Sequence, residues 1–263
     1  MHTDQALRES RAYGVRAVPL LRPLGWLARG WRDLRRCPGP ALTQGLLLAL
    51  AGALIFALAR QRFWLLAGAF SGFLLVAPIL ATGFYAISRA LECGQTPGWR
   101  TVLQAWRPQG ARAGRLIVFG LLLAFAGTGW VMTSASLITA FGAGRIATPL
   151  DFLRLVVLDE HSLLFEAWLG LGALLAAPMF ASTVVAIPLL LDREISILGA
   201  VFTSWRVVMA HPAPVALWAL LIMVLTLLGM ASAMLGLVVV LPLLGHASWH
   251  AYRDLLGDRL RAA

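Results

Sequence analysis

Leu24, Leu27, Ala28, Trp31 and Arg32 set a spacing that the chain uses three times. It returns as Trp99, Val102, Leu103, Trp106 and Arg107, and again as Leu198, Val201, Phe202, Trp205 and Arg206. At about 100° per helical residue, this spacing gathers the apolar residues and the Trp into one stripe and sets the Arg at its edge. Each copy is therefore expected to be an amphipathic helix lying on a membrane surface, its Trp buried. The pairs Trp31 and Arg32, Trp106 and Arg107, and Trp205 and Arg206 would be interfacial anchors. A long uncharged run follows every copy, which places each at the entrance to a membrane hairpin.

Composition puts those runs in a bilayer. With 60% hydrophobic and 13% charged residues and a mean hydropathy of +0.80, the chain lies outside the range of soluble domains. Several runs reach the ~20 residues a helix needs to cross about 30 Å of hydrocarbon, whereas a barrel needs alternating segments of ~10 residues. An all-α, polytopic fold follows. The net charge of +10 raises nucleic acid as a partner. The arginines, however, sit beside apolar runs rather than on a solvated face, so membrane orientation and anionic lipid account for them instead. All 22 basic residues are Arg, and Lys and Asn do not occur, a codon bias that points to a GC-rich bacterium. Neither Cys37 nor Cys93 belongs to a C-x-x-C pair, and reduced thiols are expected. The polar, Arg-rich beginning has no short apolar core or small-residue cleavage site, so no cleavage is expected there.

Residues 1–23 carry Arg8, Arg11, Arg16 and Arg22 with little periodicity and are expected to form a mobile cytoplasmic tail. Residues 24–256 form a single six-span membrane domain, and 257–263 a second tail. The expected spans are Ala41–Ala59, a second within Phe63–Ser88, a third from Leu116 to about Ile138 and a fourth within Ala167–Leu191. The 34 uncharged residues from Pro212 to Gly245 divide near Gly229–Ser232 into spans of about Ala213–Met230 and Ala233–Tyr252. Gly68 with Gly72, and Ala173 with Ala177 and Ala181, have the spacing of close helix packing. Pro78, Pro178 and Pro188 are expected to kink their helices, and the hydroxyls of the third span to bond back to their own helix or a neighbour. The loop 142–166 is the one acidic segment. In it Thr148 is placed to cap a helix whose first residue is Pro149, and the apolar residues between Leu150 and Leu158 suit a partner or the outer leaflet.

Pro78, Leu80, Tyr85, Arg89 and Leu91 match Pro242, Leu244, Trp249, Arg253 and Leu255 in spacing, so span two ends as span six does. Pro188-Leu189-Leu190 is a shorter echo at the end of span four. Three parallel hairpin repeats follow, about 24–92, 97–193 and 196–256, each entered through its interfacial helix. With both termini cytoplasmic, 18 of the 22 arginines fall inside and 4 outside, the orientation expected in a bacterial inner membrane.

No charged residue lies within the expected spans, which argues against an ion pump. Nucleotide, hydrolase, zinc-protease and attached-haem motifs do not occur. His246 and His250, four residues apart on one helix face, are the candidate metal or haem ligands. The alternative is that they lie near the headgroups with Trp249 and Tyr252 and hydrogen-bond across helices. Asp159, Glu160, His161 and Glu166 offer a second cation cluster, to be set against a solvated acidic loop.

Four segments carry a family resemblance: Gly30-Trp31-Arg32-Asp33-Leu34 with Pro38-Gly39-Pro40, Phe73 to Pro78, Pro188 to Arg193, and Leu241 to Ala247 with Trp249 to Asp254. They resemble the bacterial predicted integral membrane proteins grouped as domain of unknown function 2189, over roughly Leu24 to Leu256, the C-terminal motif being the most specific. The resemblance implies no established activity, although some members carry the label of a cytochrome c oxidase subunit. Only His246 and His250 lie in a span, too few for a catalytic haem–copper subunit, which leaves an accessory role. The expectation is a non-enzymatic scaffold or accessory subunit without a cofactor, partnered by the lipid bilayer and by other subunits of a membrane complex, with no nucleic acid. The alternatives are a channel or permease for a neutral or lipid-like substrate, and a haem or metal protein using His246 and His250.

Overall fold

Among the described residues four helices are long and apolar enough to cross a membrane: Pro38–Ala59, Gly114–Phe141, Leu164–Asp192 and Pro212–Ala231. They fall on the first, third, fourth and fifth expected spans. The computed structural model describes residues 2–59, 61–69, 80–107, 111–142, 144–159 and 162–259. Much of the second expected span, with Gly72, the Phe73–Pro78 motif and the Pro78 kink, lies outside the described residues, as do Glu160 and His161. The sixth forms a 19-residue helix, Leu237–Leu255, but its second half carries His246, His250, Arg253 and Asp254 and is too polar to count with the other four.

In chain order the elements are α1 (His2–Arg11), β1 (Tyr13–Val15), α2 (Arg22–Arg36), α3 (Pro38–Ala59), a helical run over 63–69, α4 (Thr82–Glu92), α5 (Trp99–Trp106) and α6 (Ala111–Phe141). Then come α7 (Pro149–Phe152), continued by a π turn at Leu153–Val157, α8 (Leu164–Thr183), α9 (Ala186–Asp192), α10 (Ile197–Ala210), α11 (Pro212–Ala231), α12 (Leu237–Leu255) and β2 (Leu256–Arg259). The break between α8 and α9 has a local cause. Pro188 has no N–H to give the carbonyl four residues back, at Val184, and the Val185 amide is instead taken by the Ser204 hydroxyl at 3.1 Å. Between α11 and α12 the turn falls at Ser232–Gly236, next to the expected division. Ala233 and Met234 are both left-handed there, at φ 53° and 66°.

The chain forms two compact units. The first comprises 1–49, 78–119 and 180–263, and its centre is α12, which packs along α2 and against α4, α9 and α11. Two glycines permit the closest approaches. A Cβ on Gly30 would stand 2.8 Å from both the Ala247 nitrogen and the Leu243 oxygen, and one on Gly45 would collide with the Val238 carbonyl. Residues 2–15, expected to be mobile, are instead folded. The Glu9 carboxylate accepts from the Ser196 amide and hydroxyl, and Arg206 donates to the Ser10 carbonyl at the end of α1, where a cation also meets the helix dipole. β1 pairs antiparallel with β2, Tyr13 opposite Arg259 and Val15 opposite Leu256. These contacts bridge 187 to 246 residues, which is why a local reading of the tail misses them.

The second unit comprises 50–77 and 120–179. Its core joins Ile138, Ile146, Val156 and Leu164 to Phe63, Phe152 and Trp168. Thr148 caps as expected: its hydroxyl accepts from the Asp151 amide at 3.3 Å and the Asp151 carboxylate accepts from the Thr148 amide at 2.8 Å. From this segment Phe152, Leu155 and Val156 enter the core, Phe152 stacked on Phe63 and edge-on to Trp168, while Leu150, Leu153 and Leu158 stay exposed. Thr128, Thr133 and Thr139 bond back to their own helix. The glycine and alanine spacings act less widely than expected. Gly68 has room, with Val131 4.0 Å from where its Cβ would stand, and of Ala173, Ala177 and Ala181 only Ala181 is buried. Thr148→Ala should cost about 1 kcal/mol and speed amide exchange over α7 and its π turn about fivefold. Hydrogen exchange read by mass spectrometry checks this.

Candidate functional site

The buried face of α2 is Pro23, Trp26, Gly30, Asp33 and Leu34, one residue out of phase with the stripe expected from Leu24, Leu27 and Trp31. Trp26 is fully buried, edge-on to Trp218, whereas Trp31 is 45% exposed. Trp106 and Trp205 are likewise exposed on the surface of the protein. An apolar stripe on an interfacial helix does not say whether it meets protein or lipid. Two of these Trp rings still anchor their helices. Trp106 donates to the Leu80 carbonyl at 3.3 Å and Trp205 to the Ser182 hydroxyl at 2.9 Å.

Because Gly30 lets α2 lie against the α12 backbone, Asp33 one turn later enters the interior. Its Oδ2 accepts from the Ser88 hydroxyl of α4 at 2.8 Å and from His250 Nε2 of α12 at 2.7 Å. Ser88 has one proton and gives it to Asp33, so its lone pair accepts from His246 Nδ1, 2.8 Å away. His246 and Ser88 have no exposed surface, and Asp33 and His250 are 6% exposed. His250 Nδ1 faces Glu92 at 3.6 Å, and Glu92 meets Arg253 at 3.4 Å. The result is a continuous polar string through the junction of α2, α4 and α12.

This string differs from a nucleophilic triad. There the imidazole stands between hydroxyl and carboxylate and takes the hydroxyl proton; here the carboxylate is central and Ser88 donates to it from a sealed position. His246 and His250 each commit one ring nitrogen to the string. Among the described residues no group of three or more His, Cys, Asp or Glu side chains could hold a metal ion. Burial alone would push the Asp33 carboxyl up, but the His250 and Ser88 donors and the nearby rings hold it below its ordinary 3.8. Its folded value is thus below its unfolded one, so its stabilisation is complete above 3.8 and fades as pH falls through the depressed value. The gap between the melting curves of the wild type and Asp33→Asn should narrow as the pH falls from about 4 to about 3.

Two further junctions surround this one. Asp254 accepts from Arg22 at 2.6 Å, Trp26 at 2.9 Å and the Arg29 guanidinium. Asp192 accepts from the Tyr252 hydroxyl at 2.8 Å and pairs with Arg89 at 3.2 Å and Arg193 at 3.1 Å. Sequence reading singled out His246 and His250 but passed over Asp33, Ser88, Glu92 and Asp192. The signal available for Asp33 was its place three residues after Gly30 and seven after Trp26. Of the anchor arginines, Arg32 is exposed, Arg107 is exposed at a groove beside α5, and Arg206 holds α1. Asp151 is spent on the Thr148 cap, and Asp159 and Glu166 are separated by residues outside the description.

Residues 65–192 match the family described as predicted integral membrane protein (DUF2189). The match takes in Ser88, Glu92 and Asp192 but stops short of both α2 and α12, so it is narrower than the resemblance read from Leu24 to Leu256. No curated protein and no solved structure matches the chain.

Proposed function

We propose that this is a non-enzymatic scaffold or accessory subunit of a bacterial inner-membrane complex, built from three parallel two-span repeats with both termini cytoplasmic. The observation that carries the reading is the cyclic order of contacts in the first unit. Each interfacial helix packs on the helix that closes another repeat: α5 on α4, α10 on α9, and α2 on α12. The side chains at those closing ends follow the same order, Arg89 to Asp192, Tyr252 to Asp192, and Arg253 to Glu92. The residue before each anchor Trp is small, Gly30, Ala105 or Ser204, as close packing at equivalent positions requires. The ring gives the repeats a reason to persist, and its polar groups are spent on cross-linking helices. That favours a structural role over a permease or a haem or metal protein. Purification of the full chain in mild detergent, with quantitative mass spectrometry, tests it. A reproducible set of co-purifying membrane subunits is expected, and recovery of the chain alone from repeated preparations overturns the reading.

A further inference from the structure

A groove of about 870 Å3 opens between α4 and α5. From α4 it receives Arg89 and Cys93, and from one face of α5 it receives Arg100, Gln104 and Arg107, which recur at helical spacing. Alanines at 86, 90 and 105 keep it wide, and Leu103 and Leu191 give it an apolar side. Among the described residues no carboxylate lines it, and of its arginines Asp192 pairs with Arg89, at 3.2 Å. Trp99 and Trp106, at the two ends of α5, are both exposed, as aromatic residues at headgroup depth are.

We propose that this groove binds the phosphate of an anionic phospholipid, with Arg100 and Arg107 on the phosphate oxygens and Leu103 beside the start of the acyl chains. Guanidinium groups meet phosphate oxygens through paired, charge-assisted hydrogen bonds. Free phosphate shares that chemistry but has no use for the apolar side or the flanking Trp rings. The site stands independently of the scaffold reading, since a lipid can occupy it whatever the protein assembles with.

Cys93 reports occupancy, because it is the exposed thiol of the groove and Cys37 is buried. The full-length protein is placed in nanodiscs of phosphatidylcholine, of phosphatidylcholine with phosphatidylglycerol, and of phosphatidylcholine with inorganic phosphate in the buffer. Alkylation of Cys93 by a neutral maleimide is then timed by peptide mass. Phosphatidylglycerol should slow it about tenfold when the groove is nine-tenths filled, and inorganic phosphate should leave it nearly unchanged. The protection should vanish in the double variant Arg100→Gln, Arg107→Gln and persist in Arg35→Gln, whose exposed side chain lies outside the groove. Equal rates with and without phosphatidylglycerol overturn the proposal, as does protection that survives in the double variant. Protection by inorganic phosphate equal to that by phosphatidylglycerol overturns the lipid assignment in favour of a soluble anion.

Discussion

Asp33→Ala is expected to cost about 3–5 kcal/mol of stability, enough to remove most of the folded population of a marginal membrane protein. The loss comes less from the missing attraction than from what stays behind. Ser88 and His250 would be left as buried donors facing a cavity, and the hydroxyl that orders His246 would be free to turn. Asp33→Asn keeps an acceptor in place and should cost less. In the double variant Asp33→Ala, His250→Ala, the second substitution should add far less than it costs alone, because the pair acts as a unit. Thermal unfolding in detergent, followed by helical circular dichroism, measures all three. Strictly additive losses would mean that the string is not connected as its distances indicate.

Trp26→Ala should be about as damaging, near 3–5 kcal/mol, the range for emptying the space of a buried aromatic. It removes the edge-on contact with Trp218, at 5.7 Å between ring centroids, and the indole donor that helps hold Asp254 at the foot of α12. Trp31→Ala, five residues away on the same helix, should change stability by less than about 0.5 kcal/mol, as substitutions of exposed side chains do. Its effect should appear instead as weaker retention of the α2 surface at the bilayer, read by fluorescence quenching with lipid-borne quenchers in nanodiscs. Equal losses at the two positions would overturn the assignment of Trp26 to the core and Trp31 to the interface.

That contrast also shows what a sequence of this kind makes legible. Uncharged length is a property of one segment, and so the helices Pro38–Ala59, Gly114–Phe141 and Pro212–Ala231 lie where reading alone expects them. The Thr148 cap is legible for the same reason, since its partners stand within four residues. The phase of α2 is not legible, because a Trp turned toward lipid and a Trp turned toward protein obey the same spacing. Asp33 is the harder case. A lone carboxylate reads as a surface group until Ser88, 55 residues on, and His250, 217 residues on, are seen to satisfy it. His246 and His250 were legible as a pair on one face, but their role was not, because it depends on what the other helices bring to them. Similarly Glu9 and Arg206 give no sign, within their own segments, that each binds the far end of the chain.

The pairing of Tyr13–Val15 with Leu256–Arg259 bears on the parity of the six-span topology proposed above. Two strands that share a hydrogen-bonded ladder are expected on one side of the bilayer, which suits the even number of crossings in that proposal. An odd count, such as five, would put the partners on opposite faces of a hydrocarbon layer that tolerates no unpaired strand. Reporters fused to the two ends are expected to read the same compartment. Order of synthesis matters as well: α2 emerges early, yet α12, the helix it packs along, is made only after the intervening helices. Until then the buried face of α2, with Trp26 and Asp33, waits without its partner.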